Sequence, residues 1–130
     1  MIVVDASALI EVLLQTTAGT ALEARLLASE VKLQAPHLID VEVTQVVRRL
    51  VAAGAIPRRR GDEAIVDLAD FPLRRYPHQG LLPRIWQLRG NLSAYDATYV
   101  ALAEALDARL LTRDRRLADS PGLTAEIEVV

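Results

Sequence analysis

The chain has 130 residues, 52% hydrophobic, 4% aromatic and 25% charged, with no cysteine and a formal net charge of −2 from 15 basic and 17 acidic side chains. That length suits one domain spanning residues 1–130, and the supply of Val, Leu, Ile and Ala excludes a disordered chain. The missing cysteines exclude disulfides, thiol catalysis and thiolate metal sites, and the charge balance is not that of a strongly basic nucleic-acid binder. In chain order, residues 2–4 read as a short buried strand and 6–14 as a helix. Residues 16–20 are turn-like and 21–29 helical, with a second strand over 32–35 ended by Pro36. An amphipathic helix follows over 38–53 and stops at Gly54. Pro57 opens a further helix carried by Ala64, Ile65, Leu68 and Ala69, and 73–76 reads as an edge strand between Pro72 and Pro77. A helix over 81–88 is followed by an almost wholly apolar, hence buried, helix over 94–106. A strand over 109–112, a helical turn over 115–118 and a last strand over 127–130 complete the order.

Short apolar strands alternating with helices predict an α/β fold with a mostly parallel central sheet covered on both faces. No apolar run is long enough to cross a bilayer, since Asp5 and Glu11 interrupt the first one. No signal-peptide pattern opens the chain, so a cytoplasmic protein without a membrane partner is expected. Lys32 is the single lysine beside fourteen arginines. That bias favours planar contacts to carboxylate or phosphate, and a high genomic G+C content would produce it equally well.

In open parallel sheets, ligands bind beyond the carboxyl ends of the strands. Asp5 ends the first predicted strand, and Asp114 follows the strand "RLLT" within two residues. Glu42 and Asp96 lie in the first turns of two predicted helices. All four acids map to one rim, where their mutual repulsion calls for cations, and hard divalent ions with oxygen ligands, Mg²⁺ or Mn²⁺, answer that need. Each acid also has an ordinary role. Asp5 caps a helix, Ser93-x-x-Asp96 has the pattern of a capping box, and Asp114 serves as a turn acid between arginines. Singly, the ordinary role is the better account; four independent caps arriving at one rim is the less economical one.

Other candidates carry less. Asp40 lies about 200° round the helix from Glu42, so it caps or meets solvent instead. His37 and His78 are too few and too scattered for a zinc site. Trp86 offers a ring for a base, but "IWQL" favours core packing. Arg58, Arg59 and Arg60 read as a solvated face or a protein contact. No glycine-rich phosphate loop or G-x-G-x-x-G pattern follows the first strand.

The segments "IVVDASAL", "PHLIDVEVTQVVRRL", "LSAYDATYVALAEAL" and "ARLLTRDRRLA" resemble, in order and spacing, the PIN-domain ribonucleases and specifically the VapC toxins of bacterial toxin–antitoxin pairs. The resemblance implies a Rossmann-like three-layer α/β/α sandwich. It implies a metal cluster of Asp5, Glu42, Asp96 and Asp114, with Ser7 and Thr112 as hydroxyls that orient ligands or water. Asp119 is a weaker match for a water-mediated contact. The implied activity is Mg²⁺-dependent endoribonuclease cleavage of a structured RNA such as tRNA or rRNA, leaving a 5′-phosphate and a 3′-hydroxyl. The implied partners are a cognate antitoxin, received by helices early in the chain, and a second copy in a homodimer. Arg113, Arg115 and Arg116 flank Asp114 and are candidate phosphate contacts. Two competing readings remain open from the residues. One is a non-catalytic protein-interaction module on the same fold. The other is a phosphoryl-transfer enzyme with Asp5 as covalent nucleophile, although Ser7 stands where that chemistry expects a second acid.

Overall fold

The structure, a computed structural model, describes residues 1–28 and 30–130. Five strands, β1 (Ile2–Val4), β2 (Leu33–Pro36), β3 (Leu73–Tyr76), β4 (Arg109–Thr112) and β5 (Ile127–Val129), form one sheet in the order β3-β2-β1-β4-β5. Every pairing is parallel, so the sheet goes beyond the mostly parallel expectation. Consecutive residues Val3 and Val4 in β1, and Leu110 and Leu111 in β4, are all fully buried. Neighbouring strand residues point to opposite faces, so burial of both requires a cover on each side.

That cover is α1 (Ala6–Leu13), α2 (Thr17–Leu26), α3 (Leu38–Ala52) and α4 (Arg58–Asp70), packed on one another, and α6 (Ala94–Leu106), backed by α5 (Leu82–Gln87). A short α7 (Arg115–Ala118) follows β4 and packs near β5. The arrangement is the expected α/β/α sandwich. α6 lies on β1, β2 and β4, and Ala97–Ala103 are all buried, as an apolar helix without a polar face must be. No helix among the described residues is long and apolar enough to cross a membrane.

Strand order fixes where a ligand can enter. The chain builds outward from β1 through β2 to β3, then returns to the other side of β1 with β4 and β5. The reversal opens a crevice beyond the carboxyl ends of β1 and β4, the topological switch point of an open parallel sheet.

Four expectations need correcting. Residues 16–20 are not a turn: Thr16 caps α2 by accepting the Gly19 N–H at 3.0 Å, and the helix begins at Thr17. Gly19 is there for clearance, because a Cβ would sit 1.9 Å from the Glu11 carbonyl oxygen of α1. The predicted end of that helix, at residue 29, lies outside the described residues. Trp86 is not core: Ile85 and Leu88 are buried while Trp86 is 67% exposed, with the Arg89 guanidinium 4.4 Å from its ring centroid. Asp40 neither caps nor faces water alone; it accepts both contacts of the Arg75 Nε, at 3.0 and 2.8 Å. Finally, Pro36 belongs to β2 rather than ending it, since its register partner is Tyr76 in the edge strand β3, and the chain leaves the sheet only at His37.

Candidate functional site

Asp5 leaves the end of β1 and caps α1, accepting the Ala8 N–H at 3.1 Å. Capping uses only part of its capacity. The Ser7 hydroxyl donates to Oδ1 at 2.6 Å and the Thr112 hydroxyl to Oδ2 at 2.5 Å. Each hydroxyl also accepts a backbone N–H from the segment after β4, Ser7 from Arg113 at 2.9 Å and Thr112 from Asp114 at 3.0 Å. With both hydroxyl protons spent on Asp5, the 3.4 Å contact between Ser7 and Thr112 has no proton left to share. The two hydroxyls therefore tie Asp5 to the segment carrying Asp114. Thr112 is fully buried, so this tie is structural before it is anything else.

Asp114 caps α7, accepting the Arg116 N–H at 3.0 Å. Its carboxylate also pairs with the Arg116 guanidinium at 3.2 and 3.3 Å. Glu42 lies in the second turn of α3, where Leu38, Glu42 and Val46 follow one another at one-turn spacing along the same wall. The Tyr99 hydroxyl donates to Glu42 Oε1 at 2.6 Å. Asp96 sits in the first turn of α6, and its N–H donates to the Ser93 hydroxyl at 3.1 Å. The return bond that would complete a capping box, from the Ser93 N–H to the Asp96 carboxylate, is absent among the described residues. The Ser93 hydroxyl still draws the Asp96 pKa downward, but the reciprocal backbone bond does not tie the carboxylate to the cap.

Asp5, Glu42, Asp96 and Asp114 line one cleft of about 570 Å³ at the switch point, together with Ser7. Their electrostatics reflect that convergence. Burial pushes the Asp5 carboxyl above its ordinary range despite three hydrogen bonds, and the charge on Asp96 adds to the rise. Burial likewise raises Glu42, against the pull of the Tyr99 hydroxyl, with Asp96 and Asp5 adding repulsion. Burial and the charge of Asp114 raise Asp96, against the opposing pull of the Ser93 hydroxyl and the Arg116 charge. Asp114 alone goes the other way, lowered by its pairing with Arg116. Tyr99, buried and hydrogen-bonded to an anion, is held neutral. The donor set is entirely oxygen and anionic, which fits a hard divalent cation. Among the described residues no three of these carboxylates are close enough to close on one ion as they stand, with Glu42 turned to Tyr99 and Asp114 to Arg116.

The remaining candidates fall outside the cleft or are already engaged. Asp119 is exposed at the end of α7 and does not line the cleft. The Arg113 guanidinium donates to the Val130 carbonyl at 2.6 Å, Arg116 is held by Asp114, and Arg115 is exposed beyond the lining. Tyr99 was legible only as a neighbour of Asp96; the pattern Asp96-x-x-Tyr99, which places both on one face of a helix, was the available signal. Gln45, Arg49 and Tyr95 also line the cleft and had no sequence signal.

The PIN domain family pattern matches residues 2–123. Ribonuclease VapC9 of Mycobacterium tuberculosis is 44% identical over 130 residues, covering 100% of this chain and 98% of that protein. Among solved structures, the Mycobacterium tuberculosis VapC20, described as a Sarcin-Ricin loop cleaving toxin, superposes with a TM-score of 0.71 at 17% identity, covering 95% of this chain and 97% of that one. A toxin-antitoxin complex from Klebsiella pneumoniae superposes with a TM-score of 0.68 at 19% identity, covering 99% and 97%. A cleft lined by four acids at the switch point of a five-stranded parallel sheet, a family match over nearly the whole chain and a full-length relative at this identity agree: the chain belongs to the PIN-domain family, in its VapC ribonuclease toxin group.

Proposed function

We propose that this protein is a Mg²⁺-dependent endoribonuclease, the toxin of a toxin–antitoxin pair, which hydrolyses phosphodiester bonds in a structured RNA such as tRNA or rRNA. The observation that carries the reading is the convergence of Asp5, Glu42, Asp96 and Asp114, from four separate segments, on one cleft. Those four side chains would hold the cation, with Mn²⁺ able to substitute. When bound, such an ion polarises a phosphoryl oxygen and acidifies water. The chain's own residues prepare the cleft. Ser7 and Thr112 orient Asp5 and fix the segment carrying Asp114, while Tyr99 holds Glu42. The concentrated negative charge repels a bare phosphodiester, so RNA reaches the cleft only when that charge is neutralised.

The name of VapC20, a toxin that cleaves the Sarcin-Ricin loop, supports a ribosomal target, and the Klebsiella complex supports an antitoxin partner. We read the protein as cytoplasmic and as one PIN domain that pairs with a second copy. The test is incubation of the purified protein with total RNA. With Mg²⁺ it should yield discrete fragments bearing 5′-phosphates, and with a chelator none. The Asp96→Asn variant should lose activity by at least about 100-fold. Equal cleavage by wild type and Asp96→Asn would remove the four-acid assignment. Absence of cleavage together with absence of saturable Mn²⁺ binding by calorimetry would favour a non-catalytic interaction module.

A further inference from the structure

The cleft holds one basic side chain among the described residues that line it, Arg49. Arg49 lies seven residues after Glu42 on α3, which puts it on the same helix face and roughly 10 Å further along the axis. Gln45 and Val46 fill the turn between them and line the same wall. Arg49 is exposed, and among the described residues its guanidinium has no carboxylate or hydrogen-bond partner. This separates it from the arginines near Asp114, of which Arg113 and Arg116 are committed to Val130 and Asp114. On the opposite wall, Tyr95 precedes Asp96 at the start of α6 and is 62% exposed, with its ring at the cleft. Exposing so much of an aromatic ring beside an acid cluster does nothing for the core.

The proposal rests on the ribonuclease reading above and extends it. We propose that a single-stranded stretch of RNA lies along α3 from the acids toward Arg49, which holds a phosphate neighbouring the scissile one, while Tyr95 stacks a base. Arg49 lies about two helical turns beyond Glu42, which places it beside the neighbouring phosphate, where it positions the strand rather than taking part in the cut. Stacking accepts any base, so Tyr95 contributes affinity and leaves sequence choice to other contacts. Single-stranded loops are the regions of structured RNA whose bases are open to such stacking.

The test uses the full chain in an Asp96→Asn background, which keeps the RNA uncut, and a short fluorescein-labelled single-stranded RNA of mixed sequence. Anisotropy titrations with Mg²⁺ over a salt series give both affinity and its salt dependence. Adding Arg49→Gln should lower the slope of log K against log salt by about 0.7, the signature of one lost phosphate contact on a single strand. Arg49→Lys should retain that slope. Tyr95→Ala should weaken binding about tenfold and leave the slope unchanged, and Tyr95→Phe should retain the affinity. Thermal melts establish that these exposed substitutions leave the fold intact. If Arg49→Gln and Tyr95→Ala both bind with the parent's affinity and slope, while the protein with Asp96 intact cuts RNA, the strand runs elsewhere and only this proposal fails. If the protein with Asp96 intact cuts no RNA and the Asp96→Asn parent binds none, the ribonuclease reading fails and takes this proposal with it.

Discussion

Three of the four cleft carboxylates, Asp5, Glu42 and Asp96, and the carboxylates beside β5 are the same chemical groups in opposite surroundings. Glu104 accepts two bonds from the Arg84 guanidinium, at 2.7 and 3.1 Å, and the Thr124 N–H at 2.9 Å. Glu128 is paired with Arg25 at 2.8 Å and with Arg109 at 3.1 Å. Arginine hydrogen bonds are the first cause holding both below the ordinary glutamate range. In the cleft, Asp5, Glu42 and Asp96 sit above their ordinary ranges because burial outweighs their hydrogen bonds and neighbouring acids add to the rise. Paired acids outside the cleft add to stability when ionised; the clustered acids subtract from it. A fold that retains the second set gives up stability for a site, which is the usual relation between activity and stability.

The largest expected effect on stability comes from the side chain that serves the cleft while fully buried, Thr112. Replacing Thr112 with Val keeps the shape but removes the donor to Asp5 and the acceptor for the Asp114 N–H. Stability should fall by about 1–3 kcal/mol, since buried groups lose their partners. RNA cleavage should fall about 10–100-fold, because the segment carrying Asp114 loses its tie to Asp5. Urea melts and a cleavage assay read the two effects separately. Wild-type stability with wild-type activity in this variant would mean that the acids are held by something other than the hydroxyls. A smaller effect is expected outside the cleft. Glu104→Gln keeps the shape and removes the charge that Arg84 pairs with, and should cost about 1–2 kcal/mol, seen as a lower urea midpoint at unchanged slope. An unchanged or higher midpoint would erase the contrast between the two sets of acids.

The cleft half of this contrast was legible in the residues, because its cues are local. An acid at the end of an apolar strand, a glutamate on the apolar border of a helix and an acid opening a buried helix each follow from short spacings, and strand order brings them together. What escaped depends on distant partners. Thr-Thr-Ala-Gly-Thr was read as a turn from its composition, yet Gly19 answers the close approach of α1, which no local pattern reveals. Trp86 was placed inside because its neighbours are apolar, but α5 is short and buries only the side turned to α6. Ser7 and Thr112 were read as hydroxyls that orient ligands or water, and both bond the candidate ligand Asp5; only their ties to the backbone after β4 went unread. Asp40 was separated from the cleft by helix geometry, and its partner, Arg75, is 35 positions away on the edge strand.

The subtlest consequence is a difference in how the two sets of acids respond to pH. A carboxyl raised in the folded state, such as Asp96, contributes stability that is complete below its ordinary value of 3.8 and is lost as pH rises through its higher folded value. Asp96→Asn should therefore melt above wild type at pH 7, by a margin that shrinks as the solution is acidified toward 3.8 and the wild-type carboxyl becomes neutral. Glu104 is lowered in the folded state, so its contribution is present above its ordinary value of 4.5 and is lost as pH falls through its lower folded value. Glu104→Gln should therefore melt below wild type at pH 7, with that deficit closing in acid. The two variants thus approach wild type from opposite sides as pH falls. Melting curves from pH 7 to below about pH 3, without added divalent cation, read both gaps in one experiment. If Asp96→Asn melts below wild type at pH 7, the Asp96 carboxylate has a stabilising partner in the folded protein, and the cleft acids are no different in kind from the paired ones outside it.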